Sequence, residues 1–266
     1  MMSKIVDTFR KLHANPLPLI LANAWDAGTA RIVENLGAAA VGTTSAGVAW
    51  SLGYIDGRTL PIEETVGAVQ RMMRVLSVPL TVDVENGYSD KPKVAADNIM
   101  RLVDLGIAGI NIEDGTDDPS VLASKIEAIS TAVAKSRTSL FINTRSDVFL
   151  AGLAPKAKLV EESIRRAKIY AKAGADGLFL PGILMPEQIA EVVSEIDLPL
   201  NVMAWPGLPD VFALAKLNVR RLSAGSGISQ VSFGTTEALA QEFLKSGRLG
   251  LSANAMPYGK LQELMG

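Results

Sequence analysis

The sequence has no cysteine and a single histidine, His13. Those shortages exclude thiolate nucleophiles, disulfides, zinc fingers and zinc sites built on several imidazoles. A Ser-His-Asp triad is disfavoured as well, because His13 sits in the polar stretch 10–16, where it reads as a solvated bystander. Charge of one sign is also lacking: 26 Lys and Arg against 28 Asp and Glu leave a net charge of −2, so there is no basic footprint for nucleic acid. The uncharged stretch 36–55 is long enough to span a membrane. Its Gly37, Gly42, Gly47 and Gly53, with Thr43, Thr44, Ser45 and Ser51, leave it too weakly apolar, and it reads as a buried strand running into a small-residue loop. The N-terminus lacks the apolar core of a signal peptide and carries an early acid, so a cytoplasmic protein is expected. Catalytic groups and ligands must then come from carboxylates, Lys, Arg, Tyr, hydroxyls, amides and the backbone.

What is present is a repeated junction in which an amphipathic helical pattern ends at glycine and a short apolar strand follows. Gly37, Gly106 and Gly174 suit the left-handed position that ends a helix, and Asn218 can serve likewise. Eight β-rich runs are expected, at about 18–23, 39–44, 79–84, 108–113, 139–144, 177–181, 198–203 and 220–224, with helical patterns between them. Alternation of this kind implies a parallel sheet covered by helices. Eight units in 266 residues favour a single (β/α)8 TIM-type barrel domain spanning 1–266, with an open doubly wound sheet as the alternative.

Polar residues cluster at the C-terminal ends of these runs, where barrel enzymes build their sites. Strand alternation sends Asp83 and Glu85 inward from one run and Asn111 and Glu113 from the next. The same argument groups Asn143 with Arg145 and turns Asn201 inward as a substrate-binding candidate. Residues 43–47 form a small-residue loop whose backbone N–H groups suit an anion. Three carboxylates against one arginine read either as structural ion pairs or as a cation site. Like-charge repulsion favours the second, and oxygen-only ligands point to Mg2+ or Mn2+.

These residues lie in an ordered set of motifs: Asn23-Ala24-Trp25-Asp26-Ala27, Thr44-Ser45-Ala46-Gly47-Val48, Leu52-Gly53-Tyr54-Ile55-Asp56-Gly57, Asp83-Val84-Glu85-Asn86-Gly87-Tyr88, Gly109-Ile110-Asn111-Ile112-Glu113-Asp114 and Asn143-Thr144-Arg145-Ser146-Asp147. From Leu19 to about Gly227 the chain resembles the isocitrate lyase and phosphoenolpyruvate mutase superfamily. The resemblance implies a barrel whose eighth helix is exchanged between neighbours, a homotetramer, and an oligomerisation segment over about 235–266. It further implies Mg2+ held by Asp83, Glu85 and Glu113, partly through water. A 2-oxo or 2-hydroxy acid would meet Ser45, Ala46, Gly47 and Arg145, with Asp56 close to the reacting centre.

The departures from the superfamily are informative. Its lyases carry a Lys-Arg-Cys-Gly-His type segment on the gating loop, whereas here residues 115–118 read Gly-Thr-Asp-Asp. The lysine and asparagine of the mutase and phosphonopyruvate hydrolase branches are missing too. Glu85 replaces the usual aspartate, and Gly182 stands where methylisocitrate lyases have glutamate.

The expected activity is a Mg2+-dependent lyase that cleaves a carbon-carbon bond of a small 2-oxo or 2-hydroxy dicarboxylate, by retro-aldol cleavage or decarboxylation, through an enolate. Arg145 would clamp a carboxylate and Asp56 would direct a proton, with Tyr54 and Tyr88 as further candidate donors. The alternatives are carbon-phosphorus chemistry and a barrel that binds a 2-oxo acid without turning it over. Gly225-Ser226-Gly227 adds the weak signature of a sugar-phosphate cradle.

Overall fold

The computed structural model describes residues 2–57, 59–250 and 255–266. Among these residues nine strands form one parallel sheet: β1 (Leu19–Leu21), β2 (Asn23–Ala24), β3 (Val41–Thr43), β4 (Leu80–Asp83), β5 (Gly109–Glu113), β6 (Phe141–Arg145), β7 (Gly177–Phe179), β8 (Leu200–Met203) and β9 (Arg221–Ser223). Their order, β1-β9-β8-β7-β6-β5-β4-β3-β2, starts and ends on the two halves of the first expected strand. That strand is broken at Ala22, with β1 pairing to β9 and β2 pairing to β3. The sheet therefore comes round on itself as a TIM-type barrel. Gly37, Gly106, Gly174 and Asn218 all take positive φ at the ends of the helices before β3, β5, β7 and β9.

The main core lies between the barrel's outer face and the surrounding helices, where Ile110, Ile112, Leu80, Val82, Ile99 and Leu102 are fully buried. A second, smaller core plugs the N-terminal end of the barrel. The helix Met2–Leu12 lays Phe9 against Leu19, Leu21, Ala108 and Phe141.

This plug overturns the expectation for His13. It is 6% exposed, its Nδ1 donates to the Phe9 carbonyl at 2.8 Å, and its ring stacks on Phe141 with centroids 4.3 Å apart. Burial, with Arg221 and Arg10 nearby, lowers its pKa to about 3, so it is a neutral core residue. Local polarity misled here because the helix crosses the barrel's open end and takes His13 under it.

Strand register sets the height of each inward side chain. Asp83, Asn111 and Asn143 are in register across β4, β5 and β6. Glu113 faces Arg145, and that row continues through Phe179 and Asn201 to Arg221. Strands in a barrel are tilted, so such a row descends as it travels round. It begins at the C-terminal mouth with Arg145 and ends on the floor, where the Arg221 guanidinium lies 5.9 Å from the Phe9 ring centroid.

Candidate active site

A cavity of about 250 Å3 opens at the C-terminal ends of the strands, lined by groups that include Asn23, Ser45, Ala46, Asp56, Asp83, Asn111 and Arg145. Asp83 ends β4, and its backbone N–H donates to Thr43 Oγ1 at 2.8 Å. Its Oδ2 accepts from Ser45 Oγ at 3.2 Å and from the Ser45 backbone N–H at 3.4 Å. Ser45–Ser51 is a short helix capped by Thr44, so residues 45–47 form a first helical turn and not an open anion-binding loop. Gly47 is required there by packing, since a Cβ would lie 2.7 Å from Thr44 Cγ2 and 3.0 Å from Trp25 Cβ. It stands behind Ala46 and outside the cavity lining.

Arg145 is the centre of the charge arrangement. Its Nε and Nη2 donate to Asp147 Oδ1 and Oδ2 at 2.7 and 3.0 Å, and Nη1 lies 2.8 Å from Glu113 Oε2. Burial opposes its charge, but Glu113 and Asp147 outweigh burial and hold its pKa above the ordinary value. A guanidinium carries five N–H groups, so this arrangement leaves donors for a ligand in the cavity.

The acids exceed the cations. Burial pushes the Glu113 carboxyl up to about 8, against the pull of Arg145, and Asp83, Asp147 and Glu85 add to the rise. Asp83 is raised by burial too, with Asp56 contributing. Among the described residues, no three His, Cys, Asp or Glu side chains are gathered closely enough to hold a metal ion. The donor chemistry still fits a hard dication, since every acid is an oxygen ligand and the elevated Glu113 marks a site short of positive charge.

Behind this site lies a buried network that holds it in place. Asp114, 1% exposed, accepts from Ser146 Oγ (2.7 Å), the Asp147 backbone N–H (2.9 Å), Arg166 Nη1 (2.8 Å) and Tyr170 Oη (2.6 Å). Asp114 thereby ties the ends of β5 and β6 to the helix Leu159–Ala173. The segment expected to act as a gate is a tight turn. Asp117 N–H bonds back to the Asp114 carbonyl, and Asp118 caps the helix Pro119–Lys135 by accepting from Ser120.

The chain matches the phosphoenolpyruvate phosphomutase family over residues 9–244. It belongs to that family. An uncharacterised protein from Mycobacterium tuberculosis is 37% identical over 223 residues, 82% of either chain. An oxaloacetate decarboxylase from Paraburkholderia xenovorans is 31% identical over 243 residues, 87% of this chain and 79% of that one. Among solved structures, a candidate phosphonomutase from Burkholderia cenocepacia has a TM-score of 0.85 at 35% identity, covering 90% of this chain and 99% of that one.

In this family member the expected site residues separate by depth. Ser45, Ala46, Asp56, Asp83 and Arg145 line the cavity. Glu113 stands behind Arg145, in contact with it. Glu85 is 2% exposed and outside the lining, because β4 ends at Asp83 and Glu85 adopts φ 49°, which breaks the alternation that predicted its direction. Asn201 lies in the floor. Its Nδ2 donates to the Val202 carbonyl (2.7 Å) and Ser223 Oγ (3.0 Å), and its Oδ1 accepts from Asn143 Nδ2 (3.2 Å). Tyr88 turns its hydroxyl to Thr65 at 3.0 Å, and Tyr54 packs against the main core.

Sequence reasoning missed Asp147, Asn23, Arg166 and Tyr170 as parts of the site. Asp147, two residues beyond Arg145, carried the one usable signal: an acid at that spacing reaches back to a strand-end arginine. Asn23 lines the cavity while its Oδ1 accepts from the Gly225 backbone N–H at 2.9 Å, joining β2 to the loop after β9.

Proposed function

We propose that this chain is a divalent-metal-dependent carbon-carbon lyase that decarboxylates a small 2-oxo dicarboxylic acid of the oxaloacetate type. The observation that carries the reading is the pairing of Arg145, held by Asp147 and Glu113, with Asp83 across a cavity at the C-terminal mouth. The 31% identity to an oxaloacetate decarboxylase supports it.

Asp83, with Glu85 and Glu113 behind it, would hold Mg2+ or Mn2+, partly through water. The metal would supply Lewis-acid stabilisation of the negative charge that cleavage leaves on the 2-oxo oxygen, an effect typically worth several kcal/mol. The residues of the chain do the rest. Arg145 binds the carboxylate next to the oxo group with its remaining N–H donors. Ser45 keeps Asp83 oriented through its hydroxyl and backbone N–H. Asp56, at the cavity wall, directs the proton that the enolate carbon takes up.

The turn over residues 115–118 favours decarboxylation over the other reactions of the superfamily. It offers no Cys, His, Lys or Arg to act as general acid or to clamp a migrating phosphoryl group. Loss of carbon dioxide asks for neither. With the metal-loaded enzyme, oxaloacetate-type acids should turn over faster than isocitrate, methylisocitrate or phosphonopyruvate, and Glu113→Ala should remove the activity. A rate fastest on phosphonopyruvate overturns the choice in favour of carbon-phosphorus chemistry. Binding of oxalate without turnover of any acid in the panel favours a binding barrel.

The assembly belongs to the same reading: a homotetramer in which residues from about 235 onward pack on a neighbour. The helix Gly227–Ser246 buries only Ser229 and exposes Val231, Phe243 and Leu244. The strand it would cover in a closed barrel leaves Ile20 56% exposed beside Leu17 and Leu36. Two apolar faces of one chain, each without cover among the described residues, fit exchange of this helix between copies. Residues 251–254 of the expected segment lie outside the described residues. Leu244→Asp should shift the particle seen by light scattering toward smaller species, and a monodisperse monomer of the unaltered protein would rule the exchange out.

A further inference from the structure

The cavity wall is divided by strand order. Asn23, Ser45, Asp83, Asn111 and Arg145 line the arc from β2 to β6. The arc that follows, from the end of β6 to β8, presents Leu150, Phe179, Pro181, Met203 and Trp205. Small residues at and beyond the end of β9 (Ser223, Gly225 and Ser226) separate the two. One half of the site is therefore built to hold charge, and the other half has no charged group among the described residues.

The apolar half is a constructed surface. Leu150 comes from the short helix Val148–Ala151 and Trp205 from the loop after β8, yet both lie at this cavity while remaining 45% and 50% exposed. Gly182, at φ 88°, brings the loop after β7 against the segment carrying Leu150, and a Cβ there would lie 3.3 Å from the Leu150 backbone nitrogen. Gly225 lets Met203 lie across it, since a Cβ would stand 2.6 Å from the Met203 sulfur. Glycine at both positions thus sets where the wall runs.

We propose that this wall selects the substrate: the 2-oxo acid handled here carries an aliphatic or aromatic substituent on the carbon beside the oxo group, directed at Trp205, Met203, Phe179 and Leu150. The inference rests on the reading of the polar half as a 2-oxo acid site. Arg145 is the only cation in the cavity lining among the described residues, and two of its edges are already taken by Asp147 and Glu113. A carboxylate aimed at the β7–β8 arc would lose water and gain no partner, whereas an apolar group there removes exposed surface of Trp205 and Leu150 from water. A methylene in such a pocket typically changes discrimination by roughly tenfold or more.

The test is competition against oxalate on the Mg2+-loaded full-length enzyme, with pyruvate, 2-oxobutanoate, 4-methyl-2-oxopentanoate and phenylpyruvate as probes. Affinity should climb along that series by roughly tenfold per early step. Trp205→Ala should reduce phenylpyruvate affinity at least ten times more than oxalate affinity, and Trp205→Phe should retain most of the climb. Leu150→Ser, on a separate segment, should also flatten the series. Rates on 3-alkyl oxaloacetates should exceed the rate on oxaloacetate itself. A flat series with oxalate still bound overturns the substituent and leaves the 2-oxo acid site standing. Faster turnover of unsubstituted oxaloacetate likewise overturns it and makes the wall a desolvating surface for the departing carboxylate. Failure of oxalate itself to bind overturns both readings.

Discussion

Asp147 grips Arg145 along one edge of its guanidinium, with Nε–Oδ1 at 2.7 Å and Nη2–Oδ2 at 3.0 Å, and Asp147 is itself held by its backbone N–H bond to Asp114. The arginine that faces the cavity is thereby oriented by a chain of buried contacts reaching Arg166 and Tyr170. A side-on pair of this kind fixes the plane of the guanidinium as well as its position.

Arg145→Lys keeps the charge but loses the fork. It should weaken substrate and oxalate binding by roughly 1 to 3 kcal/mol, measured by calorimetry with Mg2+ present. Asp147→Asn should raise KM in the same direction by leaving the guanidinium less constrained. Unchanged binding in both variants would make the pair purely structural.

Asp83→Ala should abolish metal-dependent oxalate binding without lowering Tm. Burial raises the Asp83 pKa in the metal-free protein, so its charge is unfavourable there and removing it relieves repulsion from the neighbouring acids. A large loss of Tm, or oxalate binding that survives with its metal dependence intact, would contradict its place in the site.

Glu113 sets a pH window for the metal. Its carboxyl, raised from 4.5 to about 8, keeps a proton that the unfolded chain has already released. Between those values the folded protein binds more protons, so metal-free stability falls as pH rises through the window. Metal binding needs the carboxylate, so apparent Mg2+ affinity should strengthen by up to about tenfold per pH unit toward pH 8 and then level. Calorimetry in buffers of different ionisation enthalpy should detect proton release near pH 6.5 and none near pH 9, and Glu113→Gln should eliminate the difference. Affinity independent of pH would sink the assignment.

His13 should produce acid sensitivity far from the site. Its pKa falls from 6.5 to about 3 on folding, so below pH 6.5 the unfolded chain gains a proton that the folded chain refuses. Stability from this residue is complete above pH 6.5 and lost as pH falls toward about 3, with a total on the order of 5 kcal/mol. Urea midpoints at pH 7 and pH 4.5 should differ less in His13→Phe than in the unaltered protein. Parallel acid slopes would remove His13 as the cause.

Fold class, the approximate place of each strand and the strand ends that line the mouth cavity were legible in the chain, because each rests on local patterns, whereas the break at Ala22 that makes nine strands of the eight expected was not. Glycine at helix ends, apolar strands of regular spacing and acids at strand ends are all properties of short windows. Asp83 and Arg145 were readable for that reason, lying within or at the end of regular strands where alternation holds. Glu85 was not, because its left-handed backbone lies just past the point where alternation stops.

The remaining features depend on contacts between distant segments. Asn201 shares a pairing row with Arg145's strand neighbours, yet barrel tilt carries that row from mouth to floor, and no window of sequence contains the tilt. The burial of His13 needs the first helix to cross the open end of the barrel. The Asp114–Arg166 pair joins positions 52 residues apart. The apolar arc of the cavity is assembled from Leu150, Phe179, Pro181, Met203 and Trp205 by the order of strands around the ring. Composition and periodicity establish which side chains point inward from each strand. Closure of the sheet establishes which of those side chains meet, because only the ring brings β9 beside β1 and so sets the Gly225 backbone N–H on the Asn23 side chain.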